Sequence, residues 1–268
     1  MGDKVRGPAV AGQFYSGQAD VLRREVDALL GAADSPDEPA PKAIIAPHAG
    51  FMFSGGVAAT AYARLRPASG RIRRVVVLGP SHFVPFRGLA ASSAEWFETP
   101  MGRLRVDTSG LATVLDFPSV EVVDAAHARE HSIETQLPFI QQVLGNDVTI
   151  VPLVVGDARP STVGQVLAAL WGDEETAIAI SSDLSHFHDD RSARRLDQAT
   201  AHTIESLRGS ELRAENACGF LPVAGLLWNA QQRAATVHTL ELKTSADAGA
   251  PPDSVVGYGA FTLQERAA

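Results

Sequence analysis

Three histidines in this chain each follow an apolar run. Ala43-Ile44-Ile45-Ala46-Pro47 leads into His48, and Val75-Val76-Val77-Leu78-Gly79-Pro80 leads into Ser81-His82. Ala177-Ile178-Ala179-Ile180 leads into Ser181-Ser182-Asp183-Leu184-Ser185-His186. Neutral imidazole is the commonest protein metal ligand, and three supplied by separate segments can meet at one ion. Asp183 stands about one helical turn before His186. If a helix starts there, the two share a face, and the carboxylate can ligate, fix a histidine tautomer or cap the helix. His131 and Glu134 are spaced i, i+3 in His-Ser-Ile-Glu, with Glu130 just before them. Ser132 is a candidate N-cap there, and the acids with the histidine could form an outer shell around a metal. Cys218 is the single thiol. It precedes Gly219 where a helix is expected to begin, a setting that lowers a thiol pKa. Two imidazoles and a thiolate with open positions suit iron, copper or zinc. A Ser-His-Asp hydrolase ranks lower, because no Gly-x-Ser-x-Gly elbow is present and triads are normally assembled from distant segments.

The apolar runs read as buried strands, and ligands of open α/β sheets bind beyond the carboxyl ends of such strands. Helices are expected between them. Ser16 or Asp20 can cap the first, with Leu22, Val26, Leu29 and Leu30 on its inner face. Pro8 to Tyr15 reads as an extended lead-in, and Gly50 to Gly56 as a glycine-punctuated turn into a second helix. Pro85 to Asp107 holds short alternating pieces expected to form inserted hairpin-like strands. Val148–Val155 reads as a further buried strand, followed by a helix capped by Ser161. Arg191 to Leu207 reads as an amphipathic helix, with His188, Asp189 and Asp190 as exposed charges at its start. Thr236–Thr244 and Val256–Leu263 alternate and are expected to close the sheet. His127, His202 and His238 are assigned to structure or surface. The pattern predicts one α/β domain over residues 1–268, with a central mixed sheet flanked by helices.

The 268 residues carry a net charge of −8, with 45% hydrophobic and 20% charged residues. That balance is globular, and the absence of a basic tract argues against nucleic acid and anionic membrane. No apolar run approaches the roughly 20 residues of a spanning helix. One cysteine excludes an internal disulfide, and no signal-peptide core follows Met1. A cytoplasmic protein is the expectation, with self-association left open.

Five ordered motifs resemble the Memo family, whose bacterial and archaeal members are labelled the B protein of the AmmeMemoRadiSam system. They are Ala46-Pro47-His48-Ala49-Gly50-Phe51, Leu78-Gly79-Pro80-Ser81-His82, Arg129-Glu130-His131-Ser132-Ile133-Glu134, Ser181-Ser182-Asp183-Leu184-Ser185-His186 and Ala217-Cys218-Gly219. The resemblance implies a fold similar to class III (LigB-type) extradiol dioxygenases, which are non-haem Fe(II) enzymes. It implies His48, His82 and Cys218 as metal ligands, His186 as the acid/base and Asp183 as a pocket-lining acid. Fe(II) is the first implied metal, with copper or zinc as alternatives, and a small molecule or peptide is the implied occupant of the cleft. Cysteine stands where the dioxygenases have glutamate, so ring cleavage is not simply inherited. Phe51 and Phe53 stand where relatives often have Tyr, and Phe14 where some have Trp, which changes the hydroxyls offered to a substrate. The second function implied is a non-catalytic adaptor that binds phosphopeptide in the same cleft. The cleft motifs supply no arginine cluster of the kind phosphate recognition prefers.

Overall fold

The computed structural model describes residues 3–34 and 38–265. After β1 (Val5–Arg6) come α1 (Ala19–Ala32), β2 (Ala43–Ala46), α2 (Phe51–Ala63) and β3 (Arg74–Pro80). An inserted stretch follows: β4 (Leu89–Ala91), β5 (Trp96–Thr99), β6 (Gly102–Val106), α3 (Thr108–Leu115) and β7 (Val120–Val122). Then come α4 (Asp124–Ala128), α5 (Leu137–Leu144), β8 (Thr149–Val155), α6 (Pro160–Leu170), β9 (Thr176–Ser181) and β10 (His186–His188). The chain closes with α7 (Asp190–Glu205), α8 (Phe220–Gln232), β11 (Thr236–Thr244) and β12 (Val255–Gln264).

The sheet runs β1-β5-β6-β8-β3-β9-β2-β12-β10, with β11 paired to β12. Its centre is parallel: β8, β3, β9 and β2 lie side by side in one direction. β12 closes one flank antiparallel to β2. The parallel strands are buried on both faces, which is why they read as unbroken Val, Ile, Leu and Ala runs. Helices α1, α2 and α5 pack together, and α3, α6 and α8 form a second group. The α6–α8 contact is close because Gly164 lies under Trp228 and Gly225 under Val163; a Cβ on either would sit 2.5 Å from the partner side chain. α8 also packs against β3 and β9, and just before its first turn Gly219 N–H donates to Ser182 Oγ, beyond the carboxyl end of β9.

Several local expectations are corrected. Residues 182–185 are not helical. Leu184 N–H donates to Gly257 O and Gly257 N–H to Ser185 O, so β12 draws the segment out as an extended edge. His186 and His188 therefore sit on β10 rather than at a helix start, with a bulge against β12 and Phe187 at φ 63°. Asp183 caps nothing, whereas Asp189 does cap α7 through Ser192 N–H. Ser132 is not a cap either, since its hydroxyl donates to Pro80 O and α5 begins five residues later. The N-cap of α1 is Gln18, with Asp20 in the first turn. α6 begins at Pro160 after Arg159, ahead of Ser161. Gly55 and Gly56 lie inside α2, where the missing Cβ of Gly55 admits Leu29. Pro8 to Tyr15 is not extended: Phe14 N–H reaches Val10 O, and Gly12 N–H reaches Tyr15 O, in successive turns. The inserted hairpin expected within 85–107 is β5–β6, whereas β4 leaves it to pair with β7 and β8.

Candidate metal centre

The carboxyl ends of β3, β9 and β2 are neighbours, so the loops carrying His82, Asp183 and His48 leave one edge together. Cys218 reaches the same edge from the start of α8. Gly219 makes this approach feasible, because a Cβ there would lie 2.6 Å from Ser182 Cβ and 2.7 Å from Ser181 O. One ligating atom each from His48, His82 and Cys218 all lie within 4.8 Å of one another. Those are the three residues the resemblance implied. Zinc-type bonds of about 2.0–2.3 Å place tetrahedral donors roughly 3.3–3.7 Å apart, so side-chain adjustment alone can close the group on an ion.

The hydrogen bonds behind the rings decide which nitrogen is offered. Ser181 Oγ donates to Ser132 O and accepts from Gln136 Nε2–H. His48 Nδ1, 2.8 Å from the same oxygen, must then be the protonated nitrogen that donates to it. Its Nε2 lone pair is left facing Cys218 Sγ at 3.3 Å. His82 Nδ1–H donates to Glu130 Oε1 at 2.8 Å, which frees its Nε2 likewise. His186 Nδ1–H donates to Leu184 O at 2.8 Å, again leaving Nε2 as the acceptor. A ring held by a carboxylate or oxygen at one nitrogen and open at the other is the usual disposition of a metal-binding histidine. The donor set therefore fits a transition metal.

The charges around the centre are ordered. Glu130 is buried, which opposes its ionisation, yet donors from the His82 ring, His82 N–H and Ser132 N–H hold its carboxyl down to about 2. Burial, followed by the neighbouring His82 and His131, keeps His48 well below the ordinary imidazole value, so it is neutral and able to ligate. Burial also lowers His131, whose ring stacks on His82 at 4.6 Å and meets Phe14 edge-on at 4.9 Å. Asp183 Oδ1 accepts from His48 N–H at 2.7 Å, while Oδ2 lies 4.0 Å from His48 Nε2; burial raises this carboxyl. Cys218 corrects the expected low thiol pKa. Burial, then the Asp183 charge, push the thiol up, and they outweigh the Asp183 N–H that points at the sulfur from 3.3 Å.

Glu134 and Phe53, both expected near the pocket, have the following surroundings. Glu134 is fully buried but serves the N-terminal segment: it accepts from Arg6, Ala9 N–H, Val10 N–H and Tyr15 Oη. Phe53 is half-buried on the first turn of α2 and packs against the core. Of the histidines assigned to structure or surface, His127 is buried and its Nε2 meets Ala90 O. Sequence reading did not single out Gln136, which braces Ser181 and Pro47 O while accepting from Tyr62 Oη. A lone amide at the start of an apolar helix gave no signal of that role.

Comparison with known proteins adds a family context. A model of the Memo-like protein family matches residues 6–262. A MEMO1 family protein of Methanobrevibacter smithii is 34% identical, covering 95% of this chain and 98% of its own. Another, from Aquifex aeolicus, is 31% identical over 95% of this chain and 97% of its own. Among solved structures, an uncharacterized protein from Escherichia coli K12 aligns with a TM-score of 0.51 at 15% identity. That alignment covers 82% of this chain and 98% of that one, a likeness of fold.

Proposed function

This chain belongs to the Memo-like protein family, and on that premise we propose that it is a metal-dependent oxidoreductase acting on a small molecule at the His48–His82–Cys218 centre. The observation that carries the reading is the set of three neighbouring donors, with both imidazoles turned by hydrogen bonds at Nδ1 so that Nε2 carries the lone pair. Fe(II) is the first choice of metal, and copper or zinc are the alternatives that a two-nitrogen, one-sulfur set also accepts. When bound, such an ion supplies Lewis acidity, an open coordination position and, for iron or copper, redox chemistry. The chain's own residues do the rest. His186 offers Nε2 as an acceptor for a substrate hydroxyl proton, with its ring fixed by Leu184 O. Asp183 fixes the backbone of His48 and presents a second oxygen beside it. His131 and Phe14 form an aromatic wall on the His82 side. The sole cysteine must be reduced, and it ligates as a thiolate whose proton leaves as the metal binds; the need for a reduced sulfur suits a cytoplasmic setting.

The test is metal content. The parent, loaded anaerobically with Fe(II) and desalted, is expected to retain about one ion per chain; His48→Ala and His82→Ala are expected to retain under a tenth of that. Elemental analysis reads the result, and unchanged stoichiometry in the variants would overturn the centre. An oxygen-consumption screen of the loaded protein then tests for turnover, with His186→Ala as the variant expected to keep its metal and lose rate.

A further inference from the structure

A cavity of about 340 Å³ opens beside Cys218. Its walls come from three segments: the loop after β3, the end of β8 and the first turn of α8. Val84, Phe86, Phe220 and Leu221 line it as half-buried apolar side chains, over a buried floor that includes Val155. Ser81 also borders it, but its hydroxyl is already donated to Val84 O at 2.7 Å. Gly156 permits the wall to form, since a Cβ there would lie 2.4 Å from Phe86 O. The one charged lining residue, Asp157, is exposed. A recess of this kind, apolar inside and sharing a wall residue with a polar centre, has the character of a small-molecule site.

We propose that this cavity seats the apolar part of the substrate: the protein acts on an amphipathic molecule whose oxygen-bearing head reaches the metal centre while an alkyl or ring group fills the recess next to Cys218. This rests on the metal-centre reading above. A dry cavity of about 150 Å³ holds a benzene-sized group, so this one takes roughly six to ten carbons. The head and the apolar group then meet at Cys218, the residue that the recess shares with the centre, and Leu221, Val84 and Phe86 become the residues that set which apolar group is accepted.

Hydroxamates test the two halves separately. Acetohydroxamate and hexanohydroxamate share one chelating head and differ by four methylenes. Both are titrated by calorimetry into the full chain loaded anaerobically with Fe(II). Hexanohydroxamate is expected to bind at least tenfold more tightly, in line with the transfer of several methylenes out of water. Leu221→Trp, which fills the recess, is expected to abolish that preference while leaving acetohydroxamate affinity within about twofold of the parent. Val84→Phe is a second filling variant with the same expected result, should the first lose its fold. Equal affinity of the parent for the two hydroxamates overturns the proposal, as does a preference that survives both filling variants. Failure of both hydroxamates to bind the loaded protein overturns the metal-centre reading, and this inference with it.

Discussion

Glu130 shows how one buried carboxylate can serve several partners at once. Its two oxygens take the His82 ring, His82 N–H, His131 N–H and Ser132 N–H, so one carboxylate ties the end of β3 to the segment before α5 and also orients the His82 ring. The fold holds its carboxyl near 2 against an ordinary value of 4.5. The ionised form is therefore stabilised on folding: the contribution is complete above about 4.5 and is lost as pH falls toward 2. Glu130→Gln is expected to cost about 2–3 kcal/mol at pH 7. Urea midpoints of parent and variant should converge as pH is lowered from about 5; a gap that stays constant would mean that the charge is not what the fold uses. The same variant is expected to weaken metal binding by about 10–100-fold in a competition titration, because His82 loses the partner that fixes its ring.

At the scale of elements, the centre is where two kinds of structure meet. Three adjacent parallel strands bring His48, His82 and Asp183 to one edge, and the start of α8 brings the sulfur across from the helix layer. That last approach depends on a glycine. In Gly219→Ala the new methyl would collide with Ser181 O and Ser182 rather than with a flexible chain end. Such overpacking is expected to cost about 1–3 kcal/mol. Moving Cys218 away from His48 should also weaken metal binding at least tenfold, a loss not expected of a purely destabilising change. Thermal unfolding and metal titration together check this; parent-like metal affinity would show that the sulfur does not need so close an approach. The extended 182–188 segment belongs to this scale as well. Its shape comes from capture by β12, and it leaves His186 on an edge strand with its ring turned by Leu184 O.

Across the whole molecule, the N-terminal segment is locked down by one buried acid. Glu134 gathers Arg6, Ala9, Val10 and Tyr15, joining residues more than a hundred positions apart and placing Phe14 against His131. Removing one partner of a buried ion pair typically costs 3–5 kcal/mol. At roughly 2–4 °C per kcal/mol for a chain of this size, Glu134→Ala should lower the Tm by about 10 °C. Metal affinity should fall far less than in Glu130→Gln, and the reverse order would return Glu134 to the metal's surroundings. Among the described residues no helix is long and apolar enough to cross a membrane. Much of this was legible in the chain itself. The Val, Ile and Ala runs marked the parallel strands, because a strand buried on both faces has no polar positions to spare. Five motifs marked the family. What the sequence could not settle was which partner each polar group takes. Asp183 could cap a helix or brace a histidine, and Glu134 could face an ion or an arginine. Ser132 could cap a helix or bond to Pro80 O. Local spacing allows either outcome in each case, since these groups satisfy whichever donor or acceptor the rest of the chain brings within reach. Only the packing of distant strands onto one another chose among them, and the same packing turned both imidazoles the way a ligand must face.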